Sequence, residues 1–234
     1  MEIELKMIFP DRTCYETFIS DRWTEKILPT RDKREIMMHS LYFDTQSREL
    51  ESLKATARVR LENQATVLTL KRGDLSCCGV FSRQEWSAGI PRDHLSGFQS
   101  IKELDGQMIR RWFENEHWFA DARENQPDAL HELLDIIEDQ VLTCTAEIRF
   151  CRLAARIEIN GTQLETALDR GHFIFGQHKK AFSELEIELL DGESALLNEF
   201  RQILTERFGL LPETESKLAR CLAFARSVEH DAHR

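Results

Sequence analysis

The sequence predicts an α+β protein built on an antiparallel sheet. Segments in which polar and apolar residues alternate recur along the chain, and this pattern is typical of strands that bury one face. The connections between neighbouring segments are too short for parallel crossovers. Helical patterns fill the gaps, and residues 194–208 have a clear 3.6-residue apolar period. Together these observations predict a sheet with helices packed against it.

Turn residues divide the chain into elements. Asn63 lies in a short hairpin connection, and Asn160-Gly161 and Arg170-Gly171 supply residues that tolerate positive φ. The expected strands cover residues 1–8, 39–45, 56–62, 66–72, 80–88, 145–152, 155–160, 163–169, 172–176 and 182–190. The expected helices cover residues 11–28, 128–138, 194–208 and 216–228, whereas residues 96–120 show no consistent period. Because no repeat or low-complexity linker interrupts this order, we expect one domain over residues 1–234.

Composition excludes several classes of function. The net charge is −10, which argues against a general nucleic-acid binder because such proteins need a basic face. No stretch approaches the about 20 apolar residues of a membrane helix, and no signal segment precedes the first strand. The six cysteines form no CxxC pair, which favours reduced thiols. We therefore expect a cytoplasmic protein with neither nucleic-acid nor membrane partners.

Five of the strands carry charged residues at every second position, so that each charged set shares one strand face. Glutamates dominate the first and last of these strands, and arginine and lysine dominate the middle ones. The residues concerned are Glu2, Glu4, Lys6, Arg58, Arg60, Lys71, Arg83, Glu85, Glu184, Glu186 and Glu188. An ordinary strand with its charges in water explains each set taken singly. The segregation of sign instead favours a shared site, because clustered carboxylates bind Mg²⁺ or Mn²⁺ and clustered cations bind phosphate.

The first strand also carries a recognisable motif. Glu2-Ile3-Glu4-Leu5-Lys6 resembles the ExExK signature of the CYTH domain, also called the triphosphate tunnel metalloenzymes. Seven further segments resemble the family in the family's order, at residues 42–45, 57–60, 68–71, 83–85, 167–171, 184–188 and 216–220. The nearest likeness is to the bacterial inorganic triphosphatases, without the CHAD domain that often follows in them.

This resemblance implies an eight-stranded antiparallel β-barrel, open at both ends, with helices packed on the outside and a charged tunnel inside. The implied metal is Mg²⁺ or Mn²⁺. Its ligands are expected among Glu2, Glu4, Glu186 and Glu188, with Glu184 and Asp169 as second choices. The substrate-binding residues are expected to be Lys6, Arg58, Arg60, Lys71, Arg83, Arg152 and Lys217. The catalytic residues are expected to be Glu2, Glu4, Lys6, Glu186 and Glu188.

Several of these residues have a simpler interpretation. Asp169 could be a turn residue before Arg170-Gly171. Arg83 and Glu85 could simply take part in an inter-strand ion pair. Arg149 could replace Arg152, since the aromatic residue often found three positions after this arginine in the family is here Ala155.

Two further side chains have alternatives of their own. Lys217 lies next to Ser216 at an expected helix N-terminus, where a cation is unfavourable unless it and the helix bind an anion together. The alternative is a surface lysine without a role. Tyr42 is expected to pack rather than to take part in the chemistry.

The expected reaction is hydrolysis of inorganic triphosphate to pyrophosphate and phosphate. No GxxxxGK[ST] motif is present, which excludes a P-loop mechanism. The alternatives are a class IV adenylate cyclase, a phosphatase for thiamine triphosphate or nucleoside triphosphates, and a non-catalytic binder of polyphosphate or nucleotide. The expected partner is a small triphosphate, and the protein is expected to be a monomer or homodimer.

Overall fold

The structure is a computed structural model that describes residues 2–91, 94, 97, 98, 101–116, 119 and 127–232. The strands are β1 (Glu2–Ile8), β2 (Arg34–Asp44), β3 (Ala55–Glu62), β4 (Ala65–Cys77), β5 (Val80–Ile90), β6 (Glu103–Asp105), β7 (Val141–Ile159), β8 (Thr162–Phe175), β9 (His178–Asp191) and β10 (Leu211–Pro212). The helices are α1 (Arg12–Ser20), α2 (Glu49–Ser52), α3 (Gly106–Glu114), α4 (Pro127–Ile137), α5 (Ala195–Phe208) and α6 (Lys217–Ala232).

Eight of the strands form a closed antiparallel barrel, as the resemblance implied. The strand order is β1-β5-β4-β3-β2-β7-β8-β9, and β9 pairs back onto β1 to close the ring. The first strand therefore lies between β5 and the last long strand, β9. This closure brings the acidic strands at the two ends of the chain next to each other.

The long strands correct the expected element boundaries. The expected strands 145–152 and 155–160 fall in one strand, β7, which ends at Ile159, and the expected strands 163–169 and 172–176 fall in β8, which ends at Phe175. The expected turn at Arg170-Gly171 was wrong, because both residues lie within β8. Gly171 is required by packing: a Cβ atom there would collide with the Arg149 carbonyl oxygen and with Phe150. The turn at Asn160-Gly161 is confirmed, with φ angles of 52° and 77°.

Two apolar layers cover the outside of the barrel. Helices α3 and α4 pack on the outer faces of β3, β4 and β5 through Ile109, Trp112, Phe113, Leu133 and Leu134. Helices α1 and α5 pack on β1, β8 and β9 through Phe18, Leu197, Phe200, Leu204 and Phe208. Residues 11–28 form a shorter helix than expected, followed by a 3₁₀ turn at Thr24–Lys26. The unplaced stretch 96–120 contributes β6 and α3 within its described residues.

Helix α6 packs against four strands of the barrel. Its residues Leu218, Leu222 and Phe224 pack with side chains from β2, β7, β8 and β9, which are Met38, Tyr42, Ile148, Phe150, Phe173 and Phe182. Among the described residues no helix is both long and apolar enough to span a bilayer.

Candidate active site

The interior of the barrel holds a charged cavity of about 150 Å³. Strand pleating places alternate residues of each strand on this inner face. The charged lining residues are Glu2, Glu4, Lys6, Arg58, Arg60, Lys71, Arg83, Glu85, Arg152, Glu165, Glu186, Glu188 and Lys217. Of the residues expected in the site from the sequence, only Asp169 and Glu184 do not line the cavity. Both contact Lys217, which does line it. The structure therefore brings the whole expected set together.

Arg58 and Arg60 form the basic wall on β3. Arg58 donates a hydrogen bond to Thr69 Oγ1 at 3.2 Å, and Arg60 Nε donates to Ser40 Oγ at 3.1 Å. Each has one long carboxylate contact: Arg58 lies 3.8 Å from Glu85, and Arg60 donates a hydrogen bond to Glu62 at 3.4 Å. Neutral hydroxyl groups thus orient these two guanidinium groups, and the long carboxylate contacts neutralise them only in part.

These two arginines have little negative charge near them, since each has a single carboxylate contact. Burial, together with the nearby Arg58 and Arg152, lowers the pKa of Arg60 to about 10. The Nε atom of Arg58 is buried without a hydrogen-bond partner. A buried cation in this state is costly unless an anion joins it. The wall is therefore suited to bind an anionic ligand.

Lys71 and Arg83 lie on β4 and β5 and face the first strand. Lys71 Nζ is 2.9 Å from Glu2 and also pairs with Glu85. Arg83 pairs with Glu2 at 2.9 Å and with Glu4. The alternative of inter-strand ion pairs is thus found as well, because Arg83 on β5 pairs with β1 and Glu85 on β5 pairs with Lys71 on β4. Burial would raise the pKa of Glu85, but Lys71 and Arg58 outweigh it and lower that pKa to about 2.

A first acidic cluster lies deep in the barrel wall. Carboxylate oxygens of Asp169, Glu184 and Glu186 lie within 4.8 Å of one another. Lys217 Nζ sits among them, 2.9 Å from both Asp169 and Glu186 and in contact with Glu184. Arg152 adds a bidentate pair with Asp169, at 2.8 and 2.7 Å. Burial opposes ionisation of Asp169, but Arg152 and Lys217 lower its pKa overall. The protein itself thus supplies the cations for this cluster.

Lys217 occupies the first position of α6, and Ser216 caps this helix through a bond from the Ala219 N–H at 3.1 Å. The helix start was therefore predicted correctly. The interpretation of Lys217 as a surface residue was wrong, because only 7% of its side chain is exposed. Arg220, one turn later, pairs with Glu184. The turn interpretation of Asp169 was also wrong, since this residue is fully buried within β8.

A second acidic cluster lies farther along the same strands. Glu188 on β9 is directly opposite Glu4 on β1 and Glu165 on β8. Glu188 makes no ion pair with any residue that the structure describes. Burial, followed by repulsion from Glu2 and Glu4, raises the pKa of Glu188 to about 7. Glu2 and Glu4 already pair with Lys71, Arg83 and Lys6, so that Glu188 is the carboxylate of this cluster that a bound cation would relieve.

Arg149 and Arg152 lie on opposite faces of β7, because they are an odd number of residues apart. Arg152 faces inwards and contacts Asp169 and Glu186. Arg149 is on the opposite face, about half exposed, where it pairs with Glu147. The prediction that Arg152 is the tunnel arginine therefore agrees with its position, and Arg149 is excluded from the cavity.

The lining also includes residues that were not expected as site residues, among them Tyr42, Thr56 and Glu165. Tyr42 both packs in the apolar layer under α6 and faces the cations. Burial would raise its pKa, but Arg58 and Arg60 lower it overall. Thr56 shares its strand face with Arg58, so simple alternation would have found it. Glu165 could be recognised only from its pairing with Glu188 across strands.

With this geometry the family is clear. A family model described as "CYTH domain" matches residues 1–222. The chain belongs to the CYTH domain family. In this family, buried charged residues line a tunnel, and the arrangement described here has that form.

Solved structures agree with the fold. A putative adenylyl cyclase from Hippeastrum, described as having a dominant triphosphatase activity, is similar with a TM-score of 0.63 and 22% identity, over 97% of this chain and 96% of the other. A protein from Pyrococcus horikoshii OT3 is similar with a TM-score of 0.54 and 18% identity, over 96% of this chain and 99% of the other. A putative adenylate cyclase from Bacillus halodurans is similar with a TM-score of 0.53 and 18% identity, over 94% of this chain and 96% of the other. At these identities the likeness concerns the barrel fold alone.

Proposed function

We propose that this CYTH protein is a metal-dependent triphosphatase, that inorganic tripolyphosphate is its substrate, and that residues 1–234 act as one domain. The observation that carries this proposal is the state of Arg58 and Arg60. Both are buried and poorly neutralised, and the pKa of Arg60 is lowered to about 10 by burial and neighbouring arginines. A polyanion would supply the missing negative charge, and guanidinium groups match phosphate oxygens well.

The second acidic cluster fits a hard divalent cation. Mg²⁺ and Mn²⁺ prefer carboxylate oxygens, and Glu188 has a pKa raised to about 7 because burial and the carboxylates of Glu2 and Glu4 disfavour its charge. A bound cation would remove that penalty. We assign Glu2, Glu4 and Glu188 as the metal ligands. Glu184, Glu186 and Asp169, named as ligands from the sequence, are better explained as the carboxylates that hold Lys217 and Arg152.

When bound, the metal would supply Lewis-acid stabilisation of phosphoryl oxygens. The chain's own residues bind and orient the substrate. Arg58, Arg60 and Lys71 neutralise the phosphates, and Lys6 lies at the junction between the two acidic clusters, 3.1 Å from Glu4 and 3.5 Å from Glu186. A water oxygen forms a bond to the terminal phosphorus while the bond to the bridging oxygen breaks. Pyrophosphate leaves with that electron pair, and the water's displaced proton passes to solvent. The fixed charges of these side chains position the substrate and stabilise the charge that develops in the transition state.

A matrix of metals and substrates tests the proposal. Purified protein is incubated with Mg²⁺ or Mn²⁺ and with tripolyphosphate, ATP, thiamine triphosphate or pyrophosphate, and phosphate, pyrophosphate and cyclic AMP are measured. We expect metal-dependent release of phosphate and pyrophosphate from tripolyphosphate. Cyclic AMP as the main product from ATP would instead indicate a cyclase. Tight tripolyphosphate binding without turnover under any metal would indicate a non-catalytic binder.

The variant Glu4→Gln tests the metal assignment within the same assay. We expect its metal-dependent turnover to fall below detection while its thermal unfolding stays cooperative. The matched control is Glu158→Gln, which changes an exposed glutamate on β7 that lies outside the cavity. Full activity in Glu4→Gln would remove Glu4 from the ligand set.

A further inference from the structure

Two buried phenylalanine rings lie beneath cations of the tunnel. Phe81 on β5 and Phe150 on β7 are 0% and 3% exposed, and neither lines the cavity. Each shares its strand face with the arginine two residues later, which is Arg83 after Phe81 and Arg152 after Phe150. Strand pleating therefore places an aromatic ring beside a cation at two positions on the inner face of the barrel.

The Phe81 ring is shared by two cations from neighbouring strands. Lys6 Nζ on β1 lies 4.4 Å from the ring centroid, and Arg83 Cζ on β5 lies 5.7 Å from it. At distances below about 6 Å the negative face of an aromatic ring attracts a cation. The ring thus stabilises both charges from the side of the barrel wall.

The Phe150 ring is shared by three cations from three elements of the fold. Lys217 Nζ on α6 lies 5.3 Å from the ring centroid, and Cζ of Arg152 on β7 and of Arg60 on β3 lie at 5.7 and 5.9 Å. Buried carboxylates also hold Lys217 and Arg152, whereas Arg60 has a single carboxylate contact, to Glu62 at 3.4 Å. Arg60 is therefore the cation for which this ring matters most.

A ring face and a carboxylate affect a buried cation differently. A carboxylate neutralises the cation and competes with phosphate for it. An aromatic face offsets part of the cost of burial but has no net charge, so that the cation keeps its full charge for a ligand. A side chain that is already fixed over a ring also loses less entropy when a ligand binds. This arrangement applies to five of the seven cations expected to bind the substrate, which are Lys6, Arg60, Arg83, Arg152 and Lys217.

We propose that Phe81 and Phe150 are positioning residues for phosphate binding, whose π faces hold these five cations charged and oriented towards a polyphosphate anion. This inference rests on the proposed function for the identity of the ligand. It assigns an electrostatic role to two apolar side chains that composition and burial alone would place in a hydrophobic core.

Ring fluorination tests this role, because fluorine withdraws electron density and weakens the negative face with little change in the shape of the ring. Phe150 is replaced, by stop-codon suppression, with phenylalanines that carry one, two or three ring fluorines. The matched control is the same series at Phe200, which is buried in the outer apolar layer on α5. The series at Phe81 repeats the test beneath Lys6 and Arg83.

Two measurements are made on each protein. Calorimetry with Mg²⁺ gives the affinity for diimidotriphosphate, a triphosphate analogue with nitrogen at the bridging positions, so that this readout does not depend on turnover. Thermal unfolding shows whether the fold is kept. The genetically encoded variants Phe150→Leu and Phe200→Leu, which keep an apolar side chain without a ring, repeat the comparison if fluorinated protein is obtained in low yield.

We expect the affinity for diimidotriphosphate to fall with each fluorine at Phe150, by about five- to tenfold with three fluorines, which is the size of a desolvated cation–π contact. Phe150→Leu should lose at least as much, and all changes at Phe200 should stay within about twofold. In tripolyphosphate hydrolysis the loss should raise KM and leave kcat nearly unchanged, because the cations bind the ground state and the transition state alike.

An affinity that does not depend on the number of fluorines at Phe150, or that falls equally in the Phe200 series, would overturn the inference. Absence of diimidotriphosphate binding by the wild type would overturn it as well. If tripolyphosphate is not hydrolysed but the graded loss of affinity is found, the proposed reaction fails and the role of the rings stands. If tripolyphosphate is hydrolysed and fluorination has no effect on affinity, the reverse holds.

Discussion

Two groups of carboxylates on the inner face of the same barrel have opposite electrostatic states. Asp169, Glu184 and Glu186 enclose the ammonium group of Lys217, and the pKa of Glu186 lies well below its usual range: burial opposes this, but Lys217, Lys6 and Arg152 outweigh it. Glu188, on the same strand as Glu186, makes no ion pair with a described residue, and its pKa is raised to about 7. Glu186 and Glu188 are thus only two residues apart on β9, yet the first is neutralised by cations and the second has no cationic partner among the described residues.

This difference shows that clustered carboxylates are not by themselves a metal site. The tightest acidic cluster among the described residues is already filled by a lysine and arginines. The looser cluster around Glu188 is better suited to an external cation, because no described cation pairs with Glu188 while burial, Glu2 and Glu4 disfavour its charge. The comparison separates the role of a buried internal cation from that of a bound metal.

The largest expected effect is on stability and comes from removing the ammonium group of Lys217 from the first cluster. Lys217→Met should lower the free energy of unfolding by about 3–5 kcal/mol, because it leaves three buried carboxylates without their shared ammonium. Urea unfolding measures this. Lys179→Met, at an exposed position of β9, is the control. The double variant Lys217→Met/Glu184→Gln should recover part of the loss, and a loss below about 1 kcal/mol in the single variant would contradict the buried-pair interpretation.

A pair of glutamine variants on β9 separates the two clusters. Glu188→Gln should lower metal-dependent kcat/KM for tripolyphosphate by at least about 100-fold while the stability is kept, because it removes a proposed ligand and a source of repulsion. Glu184→Gln should instead lower stability, since Lys217 and Arg220 lose a partner. Steady-state kinetics and thermal unfolding distinguish the two. Equal losses of activity and of stability in the two variants would contradict the distinction between the two acidic clusters.

The basic wall gives a smaller effect. Lys71→Ala should raise KM for tripolyphosphate by about tenfold, since one charge-assisted contact to phosphate is lost and Arg58 and Arg60 remain. The exposed Lys179→Ala serves as the control. An unchanged affinity for tripolyphosphate in Lys71→Ala would count against a phosphate contact at this residue.

The smallest effect concerns pH in metal-free protein. Because the pKa of Glu188 is raised to about 7, the folded state binds a proton that the unfolded state, with an ordinary carboxyl pKa of 4.5, has released. Between these two values stability should therefore fall as pH rises, by about 1–2 kcal/mol after solvent screening. Thermal unfolding in EDTA at several pH values measures the slope. Glu188→Gln should flatten it, and a wild-type stability that rises steadily across this window as much as that of the variant would refute the raised pKa.

Much of the fold and of the site could be predicted from the sequence. Alternation along β1, β3, β4 and β9 correctly placed Glu4, Arg60 and Glu188 on one inner face. The hairpin at Asn63 and the helix cap at Ser216 were also predicted, since both depend on neighbouring residues. The turn at Arg170-Gly171 was not correct, because a glycine in a strand looks like a turn until the packing of Phe150 against it is known.

By itself, the sequence determined which side chains share a face, because the pleat of a strand alternates side chains with a period of two wherever the strand lies. Only the tertiary structure decided which acid meets which base. Barrel closure places β1 between β5 and β9, which gives Arg83 to Glu2 and Glu4 and sets Glu188 opposite Glu4. The position of α6 delivers Lys217 to Asp169. These pairings join residues far apart in the chain, and electrostatic energies depend on distance in space and on burial, which no local pattern records.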